Sequence, residues 1–319
     1  MSILDMIHKQ IGEPPPNRIL LLGQEGIGKT TFGATAPKPL FICPEQGLTQ
    51  FPDIPRFVPE SSRQLKEFLD ELIALDANPK APGGSSPAIS YETIVIDTVD
   101  WLEAMIHADL CKQDAVSSIE DFSKGYGKGY VASAEILKSI LNRLDALREK
   151  HKIRPILLGH VESKAHNDPN PDLQSWDRWV AKGNKKFIGR VKEWTDVNLF
   201  ATREMFQLKS GRTEKTISGD HVMFTEWNSA FDAKNRLGLV PKIALDWAEY
   251  IAAEKDCEDG PLRIRFKNLF EARKHLLLGD AEIAKWAGAL KIIDKLPSER
   301  VRKAVTILQQ LKEPATESE

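Results

Sequence analysis

The chain has 319 residues, 41% hydrophobic and 28% charged, the make-up of a globular protein long enough for one large domain or two modest ones. Its 44 lysines and arginines nearly cancel its 46 aspartates and glutamates; a net charge of −2 excludes a polycation of the histone kind, so any polyanion must be held by a local patch. Three scattered cysteines without a CxxC pair argue against a disulfide framework or a cysteine zinc site, and no apolar run reaches membrane-span length, so the expectation is a cytoplasmic protein without membrane contact.

Residues 2–11 place Ile3, Met6, Ile7 and Ile11 at helical spacing before Pro14, Pro15 and Pro16 stop any helix. Too short to stand alone in water, the segment 1–16 reads as an arm that packs on the main domain or reaches a neighbouring subunit. Residues 18–22 (RILLL) read as a buried strand that runs straight into a glycine-rich turn, and 38–44 (KPLFICP) as a second strand. An amphipathic helix pattern covers 63–75, and the Pro-, Gly- and Ser-rich stretch 78–87 reads as a surface linker. A third strand, 91–97 (YETIVID), ends in a carboxylate; helices are expected at about 99–112 and 131–150, a fourth strand at 153–159 and a fifth at 197–201. Strands alternating with helices over 17–252 imply an α/β fold with a mostly parallel central sheet flanked by helices. Beyond about residue 255 strand signals stop, and 262–278, 281–290 and 298–311 look helical. Residues 253–319 therefore read as a small C-terminal helical region with a disordered tail.

The turn after the first strand, Gly23, Gln24, Glu25, Gly26, Ile27, Gly28, Lys29, Thr30, fits G-x-x-x-x-G-K-[ST] in the strand–loop–helix context that the motif requires. Its glycines let backbone N–H groups curl around phosphates. Lys29 is placed for the β- and γ-phosphates of ATP, the Thr30 hydroxyl for Mg²⁺, and Thr31 for the α-phosphate. Asp97 closes the third strand, where a carboxylate holds Mg²⁺ directly or through water; an aspartate there can also be a plain helix cap. Glu45 and His160 end the second and fourth strands, on the side where ligands of parallel sheets collect. Glu45 is placed to polarise an attacking water and His160 to sense the γ-phosphate. The alternatives are a solvent-facing glutamate and a helix-capping histidine.

In order, GQEGIGKTT, LFICPEQGL, TIVIDTVD and ILLGHVESK resemble the phosphate loop, catalytic-glutamate strand, acidic strand and sensor strand of RecA-like ATPases. His160 stands where that family usually carries glutamine. Ala233 to Gly238 (AKNRLG) resembles the Lys-Asn-Arg-Phe-Gly motif of RadA-type proteins. Over roughly 17–250 the chain is similar to the phage nucleotide-binding group that includes the fourth Sak group of single-strand annealing proteins. The resemblance implies a RecA-like P-loop core, ATP binding, single-stranded DNA binding, a ring or filament of identical subunits and a phage origin.

Between two expected helices, FSKGYGKGY interleaves Lys124, Tyr126, Lys128 and Tyr130 with glycines. Lysines neutralise phosphates, rings stack on any base and glycines admit the backbone, which is sequence-tolerant single-strand chemistry. The alternative is a flexible connector whose tyrosines pack on the core. After His160 comes a long polar segment, 161–184, with Trp176 and Trp179, expected to be a working loop. Arg178, Lys182, Lys185, Lys186, Arg190 and Lys192 follow one another without an acidic residue up to 192; they form either a phosphate-contacting patch or a solvated helix face. In RecA-like proteins the loops after the acidic and sensor strands bind DNA, and both segments fall there. A cation reaching a neighbour's γ-phosphate would come from Lys234 or Arg236, or from Lys209, Arg212 or Lys215 in an expected hairpin.

These features together read as a hydrolysing ATPase that oligomerises on single-stranded DNA and promotes annealing or strand exchange, with a single-strand-binding protein as a candidate partner. A P-loop small-molecule kinase and a non-catalytic ATP-dependent scaffold or helicase loader are the competing readings.

Overall fold

The structure is a computed structural model; it describes residues 14–44, 50–75, 89–168, 170, 172, 174–210, 213–273, 286–288, 301, 304, 307 and 308. The chain follows the order β1 (Ile19–Gly23), α1 (Lys29–Ala34), β2 (Pro39–Ile42), β3 (Arg56–Phe57), α2 (Ser62–Ala74), β4 (Thr93–Asp97), α3 (Val99–Asp114) and α4 (Lys128–His151). It continues with β5 (Arg154–His166), β6 (Trp176–Ala181), α5 (Lys185–Trp194), β7 (Val197–Ser210), β8 (Thr213–Phe224), β9 (Lys234–Asn235), β10 (Lys242–Ala244) and α6 (Trp247–Arg273). The expected arm at 2–11, the linker at 78–87 and the expected helix at 281–290 lie wholly or almost wholly outside the described residues, as does most of the one expected at 298–311.

The strands form one sheet in the order β10-β8-β7-β1-β5-β4-β2-β3. From β7 to β3 the neighbours run parallel; β8 and β10 are added antiparallel at one edge. All five residues of β1 are buried, as a strand covered on both faces requires. Alternate residues divide between two cores. Leu20, Leu22, Leu40, Ile42, Ile94, Ile96 and Leu157 pack against Leu65, Leu69, Leu102, Leu137, Leu144 and Phe187 of α2 to α5. On the other face lies α1, where Gly33 is so close to the sheet that a Cβ would sit 3.0 Å from Val95 Cγ1 and 3.2 Å from Phe41 Cζ. Phe32 meets Trp247 and Tyr250 edge-on there, at 5.3 and 6.0 Å. The fold is therefore α/β, with a mostly parallel central sheet flanked by helices.

Two segments differ from the sequence expectation. The stretch after His160 is not a structureless loop: β5 runs on to His166 and β6 returns antiparallel, from His166↔Trp176 to Val161↔Ala181. Backbone pairing holds these polar residues, and Trp176 Nε1 donates to Ser229 O at 2.9 Å. The glycine-rich segment is no open connector either. Phe122–Lys124 forms a 3-10 turn, φ is positive from Ser123 through Gly127, and α4 starts at Lys128.

By its internal contacts the chain divides into two compact units, Met1–Arg236 with Val240–Tyr250, and Leu237–Leu239 with Ile251–Glu319. In the second, Phe266 is fully buried and stands 6.0 Å from the Trp286 ring. Among the described residues no helix is long and apolar enough to cross a membrane.

Candidate functional site

The parallel register brings the carboxyl ends of β1 and β4 to the middle of β5, with Gly23 opposite His160 and Asp97 opposite Leu158. Gly23 is required where β1 meets β7, because a Cβ there would lie 2.8 Å from Ala201 O. The loop then turns through Gly26 and Gly28 at φ 70° and 111°, left-handed values suited to glycine. Ile27, 3% exposed, anchors it, while Gln24 and Glu25 face outward. Buried Lys29 folds back under the loop, its Nζ donating to Gly23 O at 3.0 Å and Gln24 O at 2.8 Å. Burial lowers the Lys29 pKa, and the charges of Asp97, Asp100 and Glu25 oppose that shift in part.

Thr30 Oγ1 donates to Asp97 Oδ2 at 2.8 Å. Among the described residues no cluster of three His, Cys, Asp or Glu side chains could ligate a metal by itself. The fit is instead to a hard cation that takes one hydroxyl and one carboxylate and completes its shell with phosphate oxygens and water, as Mg²⁺ does. Thr30, Thr31, Lys29, Asp97 and His160 line a cavity of about 390 Å³ together with Glu25, Gly26 and Gly28. Gln50 and Phe51 line it too; nothing in their sequence context singled them out. Glu45 lies outside the described residues.

Asp100 was also missed. It stands in the first turn of α3, where an acidic residue ordinarily reads as a helix-end charge. Its Oδ2 lies 2.9 Å and its Oδ1 3.2 Å from His160 Nδ1, and Oδ1 also accepts the His160 backbone N–H at 3.2 Å. Burial works to raise the Asp100 pKa, but the hydrogen bond and charge of His160, helped by Thr98, outweigh it and hold the carboxyl at about 2. A folded-state value below the ordinary 3.8 stabilises the fold at pH above about 4 and is lost as pH falls toward 2. In urea titrations, Asp100→Asn should therefore cost about 2 kcal/mol at pH 6 and almost nothing at pH 2. A pH-independent cost would contradict the pairing.

The cations expected to meet DNA divide into two groups. Arg178 is buried beside Asp232 at 2.5 Å, Lys192 reaches the same carboxylate at 2.7 Å, and Arg190 pairs with Glu135 at 3.0 Å. Arg178 is thus engaged in a buried ion pair with Asp232. Lys182, Lys185 and Lys186 are exposed, with no side-chain ion partner among the described residues. Lys185 and Lys186 open α5, which Asn184 caps by accepting the Lys186 N–H at 2.9 Å. Across a cleft of about 880 Å³ from them stand Val131, Ala134 and Glu135 of α4. Of the two expected DNA segments, the second lines this cleft, while Lys124, Tyr126, Lys128 and Tyr130 are not among its lining residues. Tyr126 is 97% exposed and Lys124 is exposed on the turn before α4. Lys128 Nζ donates to Ser123 O at 3.2 Å, and Tyr130 packs on His107 with ring centroids 5.7 Å apart.

Lys234 is engaged within its own chain. Its Nζ donates to the carbonyls of Lys192 at 2.6 Å and Glu193 at 3.2 Å, and to Thr195 O, so it caps the C-terminal end of α5. It lies on β9, paired with β7 at Val197 and Asn198, at the opposite end of the sheet from the cavity. Arg236 follows it and is exposed. The side chains of Lys209 and Lys215, and Arg212 altogether, lie outside the described residues.

Residues 15–237, more than two thirds of the chain, match a protein family described as an AAA domain. No curated protein matches the chain.

Proposed function

The chain belongs to the AAA domain family of P-loop ATPases, and on that premise we propose that it hydrolyses Mg²⁺-ATP, binds single-stranded DNA as a ring or filament of identical subunits, and promotes annealing or strand exchange. The ATP half rests on one observation: a Thr30 hydroxyl joined to the Asp97 carboxylate beside buried Lys29, under a glycine loop that opens on a cavity. Lys29 leaves the Gly23 and Gln24 carbonyls for the β- and γ-phosphates, and loop N–H groups take the remaining phosphate oxygens. Thr30 and Asp97 would hold Mg²⁺, which when bound supplies positive charge to the phosphates. Glu45 orients the attacking water for in-line displacement, and His160 meets the γ-phosphate. An exposed Arg236 from a neighbouring subunit would add the last positive charge, which makes turnover depend on assembly.

The DNA half rests on the cleft between α4 and α5, with Lys185 and Lys186 on one rim. Exposed Tyr126 and Lys124 precede α4 and supply a stacking ring and a further cation. The likeness to the fourth Sak group of phage annealing proteins points to the same partner, and a single-strand-binding protein would act beside it. The test is fluorescence anisotropy of a labelled oligo-dT with ATP at low salt. Lys185→Ala with Lys186→Ala should weaken binding about tenfold and flatten the salt dependence by about 1.4 in log–log slope, the value for two lost phosphate contacts on a single strand. No DNA binding by the unaltered chain, with or without ATP, would turn the reading toward a small-molecule kinase or a scaffold such as a helicase loader.

A further inference from the structure

The first two turns of α3 carry two buried carboxylates whose bonds lead to the stretch from His160 to Asn184. Asp100, its side chain 8% exposed, grips both the ring and the backbone N–H of His160. Glu103, 4% exposed, accepts the Asn184 backbone N–H with both oxygens, at 2.9 and 3.2 Å. Burying a carboxylate is costly unless it is hydrogen-bonded, and here both are aimed at one connection. That connection starts at His160, whose carbonyl accepts the Lys182 N–H at 2.9 Å, and ends at Asn184, the cap of α5. Between them Gly183, at φ +128°, passes so close that a Cβ would lie 2.5 Å from Glu103 Oε2.

We propose that α3 joins the nucleotide site to the cationic turn of α5: Asp100 is a positioning residue that holds His160 with Nε2 toward the γ-phosphate, and Glu103 holds the first turn of α5. The identity of what binds at the two ends rests on the function proposed above. With Nδ1 committed to Asp100, Nε2 is the ring nitrogen left for the nucleotide, and an imidazolium keeps an N–H on each. A γ-phosphate that draws on His160 moves a residue whose backbone N–H is tied to α3 and whose carbonyl is tied to Lys182. Lys185 and Lys186 follow because Glu103 fixes the Asn184 amide to the same helix.

The test uses the full chain without DNA and reads two quantities: the affinities for β,γ-imido-ATP and for ADP, and hydrogen exchange of the amides at 184–188 with each nucleotide. The unaltered chain should prefer the ATP analogue and show about tenfold slower exchange at 184–188 with it than with ADP. Asp100→Asn should cut the preference about tenfold, the loss of one charge-assisted hydrogen bond, and abolish the exchange difference. Glu103→Gln should keep the preference and abolish only the exchange difference. In a His160→Gln background Asp100→Asn should change nothing further, since it acts through His160. An unchanged preference in Asp100→Asn, the same loss of preference in the His160→Gln background, or no exchange difference in the unaltered chain would each overturn the proposal. Failure to bind oligo-dT would sink the DNA reading while leaving these readouts standing.

Discussion

Lys29→Ala is expected to lower ATP turnover about a thousandfold. Lys29 is the buried cation of the cavity, and its Nζ is already within 3.0 Å of the two carbonyls that shape the phosphate loop. Arriving phosphates offer it better acceptors than neutral carbonyls, and that preference grows as charge develops on the γ-phosphoryl oxygens. Alanine removes the charge and leaves the loop otherwise able to close, because Gly23, Gly26 and Gly28 set its path. The fold should lose no more than about 2 kcal/mol: two hydrogen bonds to carbonyls go, and the cost of burying an ammonium goes with them. Lys29→Arg should not rescue turnover, since a planar guanidinium does not fit a point-charge site. Phosphate release at saturating ATP, beside thermal melts, measures both. Turnover within tenfold of the unaltered chain would place the chemistry elsewhere.

The largest expected effect on stability comes from the other end of the sheet. Asp196→Ala should cost about 3–5 kcal/mol in urea unfolding at neutral pH. Asp196 accepts the Arg18 backbone N–H and Nε on one oxygen at 2.9 and 3.1 Å, and Arg18 Nη2 on the other at 2.9 Å. Arg148 lies 3.9 Å away, and Arg18 also reaches Asp145 at 3.3 Å. The side chains of Arg18 and Asp196 are only 20% and 14% exposed, so water screens them poorly. Burial tends to raise the Asp196 pKa, but the bonds from Arg18 prevail and lower it. The Asp196 contribution is thus present above about pH 4 and lost in more acid solution. Alanine leaves two neighbouring guanidiniums without their shared carboxylate and unpins the starts of β1 and β7, where the central sheet is assembled. A loss below about 1 kcal/mol would mean that solvent enters the cluster and screens it.

What could be seen in the sequence was what the backbone and local geometry impose. The phosphate loop was legible because its glycines are required by left-handed φ values and by the approach of Ala201 O, whatever surrounds them. Asp97 and His160 were legible as polar residues ending apolar strands, and the parallel register brings them to one edge. Partners were not legible. Nothing in Arg178, Lys192 or Lys234 reveals that Asp232 or the last carbonyls of α5 will claim them. The β5–β6 hairpin escaped notice because its residues show no apolar alternation; cross-strand pairing holds it instead. Asp100 and Glu103 looked like ordinary helix acids, since their targets, His160 and Asn184, are 60 and 81 residues away.

Steady-state ATP turnover with and without single-stranded DNA, run beside Lys29→Ala, bears most directly on the proposed joining of a P-loop ATPase to a cleft that takes single strands. Turnover should rise severalfold with oligo-dT in the unaltered chain, should rise less when Lys185 and Lys186 are replaced by alanine, and should vanish with or without DNA in Lys29→Ala. Turnover that single strands leave unchanged, or phosphate that passes to a small-molecule acceptor instead of water, would contradict it.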